Sequence, residues 1–218
     1  MPNWTYNEVT FEKPETLMKY VTDGNFDFNK VIPMPKELEN TISGGIINEC
    51  IDLYNIQNMK LADFKKNRKS YTATYEETKK RIIAALEERI GDNPRMFMDE
   101  LHYYPQEERE IGFRIIQENY GHTGYEIGEY YVNLKKKYGD YNWYMWSINN
   151  WGVKWNACES NIYEKDAFAT FSTPWSMPTE VYQKICEDNP DEHIVFYGEY
   201  EEGGEITYHN VNGFLKEV

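Results

Sequence analysis

Apolar residues recur along this chain with two different periods. From Thr5 to Phe11 they alternate, with Tyr6, Val9 and Phe11 among polar neighbours, which predicts a first strand. Pro14 suits the first turn of a short helix with the stripe Leu17, Met18 and Val21, ended by Asp23-Gly24-Asn25. Phe26 to Val31 reads as extended, and Ile32-Pro33-Met34-Pro35 stops regular structure, because two prolines continue neither a ladder nor a helix. From Lys36 to Tyr138 the period becomes helical. Ile46, Ile47, Cys50, Ile51 and Tyr54 repeat at three and four. Tyr75 to Ile90 has Thr74 as N-cap, Gly91 as its stop and the core stripe Ile82, Ile83, Leu86 and Ile90; 107–120 and 124–138 read as further helices.

After Tyr138 the period returns to two. Trp155 to Tyr163 and Ala167 to Thr173 are strand-like around the turn Glu164-Lys165-Asp166. Pro178 opens a helix to Glu187, and Asn189-Pro190 stops it. Ile194 to Tyr200 and Ile206 to Val211 flank Glu201-Glu202-Gly203-Gly204, a hairpin signal. The expected organisation is an α+β chain: residues 1–35 and 141–218 form two parts of one sheet-and-helix layer, and residues 36–140 a largely helical insertion. Strand alternation and helix spacing predict one core shared by Phe168, Phe171, Val181, Ile185, Ile194 and Phe196.

Charge sharpens this picture. The 218 residues carry 37 acidic and 23 basic side chains, a net charge of −14. The excess is uneven: residues 60–89 are net +4, whereas residues 151–218 are net −9 and hold no Arg. Such a field repels nucleic acid at long range and suits a basic protein surface. Aromatics at 16% exclude a disordered chain, and three scattered Cys exclude a disulfide framework or a thiolate metal cage. No apolar run reaches membrane-spanning length and Met1-Pro2-Asn3-Trp4 is not a signal peptide, so a soluble protein of the host cytoplasm is expected.

Both ends resemble a known family. Phe26-Asp27-Phe28-Asn29-Lys30-Val31-Ile32-Pro33-Met34-Pro35, Asn150-Trp151-Gly152-Val153-Lys154-Trp155-Asn156-Ala157 and Phe171-Ser172-Thr173-Pro174-Trp175-Ser176-Met177-Pro178 resemble three blocks of a phage- and plasmid-borne family. Its members carry a ferredoxin-like domain named after the YubB protein. The resemblance covers the first 40 and last 70 residues or so; Pro174 stands where the family has a small residue. It implies a ferredoxin-like fold and a mobile-element origin, and no catalytic residues.

The chain has no phosphate-binding glycine loop, zinc-protease helix, Cys pair or nucleophile elbow. His102, His122, His193 and His209 do not fall at ligand spacing, so no metal and no cofactor is expected. Two groups stand out as partner-binding candidates. The first is acidic: Glu199, Glu201, Glu202 and Glu205 about the hairpin, with Asp188, Asp191 and Glu192 after the preceding helix. The second is aromatic, Trp143 and Trp151 in a run that also holds Trp146 and Trp155: Trp146, Trp151 and Trp155 read first as packing where the insertion rejoins the sheet, and some of these rings otherwise as an interface anchor, because Trp concentrates binding energy at contacts.

The expected function is a non-catalytic acidic protein that engages a host factor with a basic surface, inhibiting a nucleic-acid-handling defence complex such as a CRISPR effector. Two other readings stay open. One is an enzyme with a site between insertion and sheet; the other is a nucleic-acid contact through Lys65, Lys66, Arg68 and Lys69.

Overall fold

The computed structural model describes residues 3–44, 47–48, 50–51, 54–55 and 124–218. The helices expected over 75–90 and 107–120, and the basic stretch with Lys65, Lys66, Arg68 and Lys69, lie outside the described residues. The chain divides into two compact units, Met1–Met34 with Tyr144–Val218, and Pro35–Trp143.

The first unit is built on a six-stranded antiparallel sheet. Its centre is β1 (Trp4–Thr10), paired on one side with β5 (Phe168–Pro174) and on the other with β6 (Val195–Tyr200). Strand β4 (Cys158–Tyr163) lies outside β5, while β7 (Glu205–Val211) and β8 (Phe214–Glu217) extend the sheet beyond β6. The order β4-β5-β1-β6 is the split arrangement of a ferredoxin-like layer, so the α+β expectation holds. Strand β8 escapes the alternation because four residues after a tight turn carry too little pattern to register.

One face of the sheet is covered. Thr5, Asn7, Val9 and Phe11 point into it from β1, Ala169, Phe171 and Thr173 from β5, and Phe196 from β6, all buried. The helix following β5, Thr179–Asp188, lays Val181, Tyr182, Ile185 and Cys186 on this face, a spacing of one, three and four that gives a narrow apolar stripe. Tyr182 stacks on Phe196 with centroids 4.4 Å apart, and Phe171 stacks on Phe26 at 4.9 Å. Five of the six expected core residues therefore meet here. Phe168 does not: one residue out of phase with Ala169 and Phe171, it lies against Tyr163 on the opposite face. Tyr6 is likewise out of phase with Val9 and Phe11, and is exposed.

A polar cluster sits at the middle of the apolar layer. Asn7 donates through Nδ2 to the Thr5 carbonyl (2.9 Å) and to Thr173 Oγ1 (2.8 Å), and its Oδ1 accepts from the Tyr182 hydroxyl (2.8 Å). Thr173 in turn donates to the Ser176 carbonyl at 2.7 Å. Buried amides and hydroxyls are tolerated when paired in this way. Thr5 Oγ1, also buried, has no hydrogen-bond partner.

The three blocks that carry the family resemblance hold this layer together. Trp151 donates its indole N–H to the Ile32 carbonyl (2.9 Å) and packs edge-on against Phe28 and Trp146. Asn156 accepts from the Phe28 N–H (2.8 Å) and donates to Asp27 (2.7 Å), which also accepts from Thr22 and Asn29. Burial opposes ionisation of Asp27, but the bonds from Asn156, Thr22 and Asn29 outweigh it and hold the carboxyl below its ordinary value. Gly152 adopts φ +78 against the Glu180 carboxylate, a position where a Cβ would collide.

Locally the N-terminal crossover departs from the expected pattern. The helix α1 (Pro14–Met18) stops before Val21, which enters a two-residue strand β2 (Val21–Thr22) paired with β3 (Asn25–Phe26). Phe28–Lys30 forms a 3-10 turn rather than extended chain, because the Asp27 carboxylate accepts from the Asn29 N–H and caps it.

In the second unit α2 (Lys36–Glu39) precedes α3 (Gly124–Tyr138), whose limits match the expected helix. Glu126 in its first turn and Lys135, Lys136 and Lys137 in its last complement the helix dipole. Tyr131 accepts the Ile42 N–H through its hydroxyl (2.9 Å), and Lys137 pairs with Glu37 at 2.8 Å. Residues 143–151, of which all but Trp143 belong to the first unit, form a helix, α4 (Trp143–Trp151), against the expected strand period; Trp146 and Trp151 mark its buried side. The helix of residues 179–188 is α5.

Candidate functional site

Strand alternation that buries one set of residues exposes the other. Trp4, Tyr6, Glu8 and Thr10 alternate with the buried residues of β1, and no described element covers the face they occupy. Register extends that face across the sheet. Tyr6 lies opposite Ser172 on β5 and Glu199 on β6, Glu8 opposite Thr170 and Tyr197, and Thr10 opposite Phe168 and Val195. Further out, Glu199 faces Glu205, Tyr197 faces Thr207 and Val195 faces His209. On the other side Tyr163 faces Phe168. The result is an open sheet face that presents Tyr6 (39% exposed), Tyr163 (48%) and Trp4 (37%) among carboxylates.

Its electrostatics follow from those pairings. Glu199 and Glu205 are directly opposed across β6 and β7, an arrangement that costs stability between like charges. Each tyrosine partly compensates: Tyr197 donates its hydroxyl to Glu205 (2.8 Å) and Tyr6 to Glu8 (2.9 Å). The bond to Glu205 pushes the Tyr197 phenol up to about 12. At Tyr6 partial burial and the Glu8 bond also act upward. Both rings therefore stay neutral donors at physiological pH. Lys216, opposite His209 at the β8 edge, places a positive group on this face.

The acidic residues singled out in the sequence separate into distinct environments. Glu199 and Glu205 belong to the open face. Glu201 and Glu202 are exposed at its rim, where Glu201 accepts the Trp4 N–H (2.7 Å) and Glu202 accepts from the Asn3 side chain. Asp188 and Asp191 lie at the opposite end of β6. They line a cleft of about 410 Å³ together with Glu15, Glu192, Lys13 and Lys19, so its charge is mixed. Asp188 is paired with Lys184 at 2.5 Å.

Glu192 is not part of an exposed patch. It is only 8% exposed, and accepts from the Glu12 and Lys13 N–H groups (3.1 and 3.0 Å) and the Thr16 hydroxyl (2.7 Å), which ties the start of α1 to the chain ahead of β6. Trp151 is buried too, at 4%, as a core residue rather than an exposed anchor. Trp143 belongs to the second unit, half-buried, with its N–H donated to Thr41 Oγ1 at 2.9 Å.

Reading the sequence missed Trp4, Tyr6, Glu8 and Tyr197 as members of this surface. The signal was present: in Trp4-Thr5-Tyr6-Asn7-Glu8-Val9 the large rings and the acid share one parity. Grouping Tyr6 with Val9 by hydrophobicity alone obscured it. Among the described residues no cluster of three or more His, Cys, Asp or Glu is placed to hold a metal ion, and no helix is long and apolar enough to cross a membrane.

No protein-family model and no curated protein matches the sequence. One solved structure is similar: protein api92 from Yersinia pseudotuberculosis, of the family DUF1281, at 10% identity and a TM-score of 0.41. The match covers 100% of this chain and 98% of that one.

Proposed function

We propose that this chain is a non-catalytic binding protein whose open sheet face docks on a basic protein surface. The observation that carries the reading is the composition of that face, in which exposed aromatic rings are interleaved with Glu8, Glu199 and Glu205. Rings supply contact area at low entropy cost, and the carboxylates steer a positively charged partner and select against nucleic acid. A mobile-element origin and a net charge of −14 point to a partner built to hold nucleic acid, such as the basic groove of a host CRISPR effector.

The test is surface plasmon resonance between the immobilised chain and purified host CRISPR effector complexes, at low and high salt. Binding that slows with salt, that DNA competes away, and that Glu199→Lys with Glu205→Lys weakens through the on-rate supports the reading. Absent binding, or an on-rate indifferent to salt and to both substitutions, overturns it.

A further inference from the structure

One corner of the open face is chemically unlike the rest. Trp4 opens β1 there and tilts against Trp155, with centroids 6.1 Å apart. Trp175 follows β5 and is 53% exposed, held beside the start of β1 by its N–H bond to the Asn3 carbonyl (2.8 Å). Its φ of +66 is rare for a bulky side chain. The Glu201 main chain and carboxylate both bond the Trp4 backbone, and Glu202 bonds Asn3. Each of these two carboxylates thus has one oxygen engaged at the β1 terminus. The other has no partner among the described residues. Two exposed indoles and two carboxylates are therefore attached about the backbone of Asn3 and Trp4, at one end of the sheet.

The same cluster already holds a cation. Lys154 places its ammonium 4.7 Å from the Trp155 ring centroid and 5.5 Å from that of Tyr144. That contact takes up the Trp155 ring and leaves Trp4 and Trp175 as the exposed ones. A planar guanidinium fits what is left better than an ammonium does. It stacks flat on indole while its N–H fork reaches a carboxylate, and it is more weakly hydrated. We infer that the corner formed by Trp4, Trp175, Glu201 and Glu202 is an arginine-binding anchor, which takes a side chain from an Arg-bearing segment of the basic partner. This deepens the proposed function and rests on it: the wider face supplies area and steering, and this corner selects Arg over Lys.

The probes are an oligo-arginine peptide and an oligo-lysine peptide of equal length, titrated into the full chain. Backbone amides and the indole N–H signals of the six tryptophans are followed by NMR. The expected result is ~fivefold or tighter binding of the arginine peptide, with the largest indole shifts at Trp4 and Trp175. Trp175→Asn, which tolerates positive φ, should bring the arginine peptide to the affinity of the lysine peptide while an unchanged amide spectrum reports an intact fold. Equal affinity of the two peptides in the parent chain overturns the anchor. Arginine-peptide shifts confined to Tyr197 and Glu205 also overturn it and leave the open face standing. Failure of both peptides to bind overturns the anchor and the docking face together.

Discussion

Replacing Tyr182 with Phe removes one oxygen and leaves the packing against Phe196 intact. The structure assigns that oxygen a single task, donation to Asn7 Oδ1 at 2.8 Å. Asn7 has 0% exposure, so its carbonyl would be left without water or a replacement partner. An orphaned buried acceptor costs about 1–3 kcal/mol, and with an m-value of about 1–3 kcal/mol/M the urea midpoint should fall by roughly 1 M. Asn7→Ala should cost more, about 3 kcal/mol, because it strands the phenol and removes the donation to Thr173 as well. The double variant should cost about 1–2 kcal/mol less than the sum of the singles, since neither partner then remains to be stranded. Tryptophan fluorescence in urea, fitted for all four proteins, gives the cycle. A Tyr182→Phe loss below about 0.5 kcal/mol, or strict additivity, would refute the claim that this pair is a coupled unit.

Further outcomes follow from the same packing. Thr5→Val should be neutral or stabilising by up to about 1 kcal/mol in that assay, because the buried Thr5 hydroxyl has no partner to lose. Glu192→Ala should cost about 2–3 kcal/mol and speed hydrogen exchange at the amides of Glu12 and Lys13, which its carboxylate accepts. Asp27 has a folded value below its unfolded one. Its contribution is therefore complete above about pH 4 and lost as pH falls through the lowered value, and Asp27→Asn should flatten that part of an acid titration of melting temperature. Burial first, and then Glu187, pushes the Cys186 thiol up to about 12. Its stabilising contribution is intact below about pH 8.5 and lost as pH rises toward 12. In the folded chain at pH 8, half-buried Cys158 should react with Ellman's reagent while Cys50 and Cys186 stay silent until denaturant is added.

Residues whose local pattern and tertiary use agree were legible from sequence. The limits of α3, the turn at Glu164–Asp166, the stripe of α5 and the hairpin between β6 and β7 all fall where period and turn chemistry put them. Three features were hidden for physical reasons. Helix α4 was misread because its aromatics, Trp143, Tyr144, Trp146 and Trp151, favour strands in isolation, and the burial of Trp146 and Trp151 overrides that preference. The buried face of β1 carries Thr5 and Asn7, so polarity misreported which side was core. Glu192 looked like surface charge because nothing local reveals that two backbone N–H groups some 180 residues earlier await its carboxylate. The hairpin acids were found by charge; the rings that share their surface needed strand parity and register.

The placing of β1 has a consequence for how the chain is made. Asn7 finds the Phe171 carbonyl 164 residues downstream, and Trp4 finds the Glu201 carboxylate 197 residues downstream. During translation the central strand therefore leaves the ribosome with neither neighbour available, and residues 35–143 are all synthesised while it waits. At ~5–20 residues per second that interval is roughly 10–40 s, long enough for a bare apolar strand to seek edges on other nascent chains. With Asn7 and Glu8 at its middle, β1 is a poor template for such pairing. The amide that ties it into the finished sheet thus also protects it beforehand, one residue guarding against misassembly early and fixing the register late.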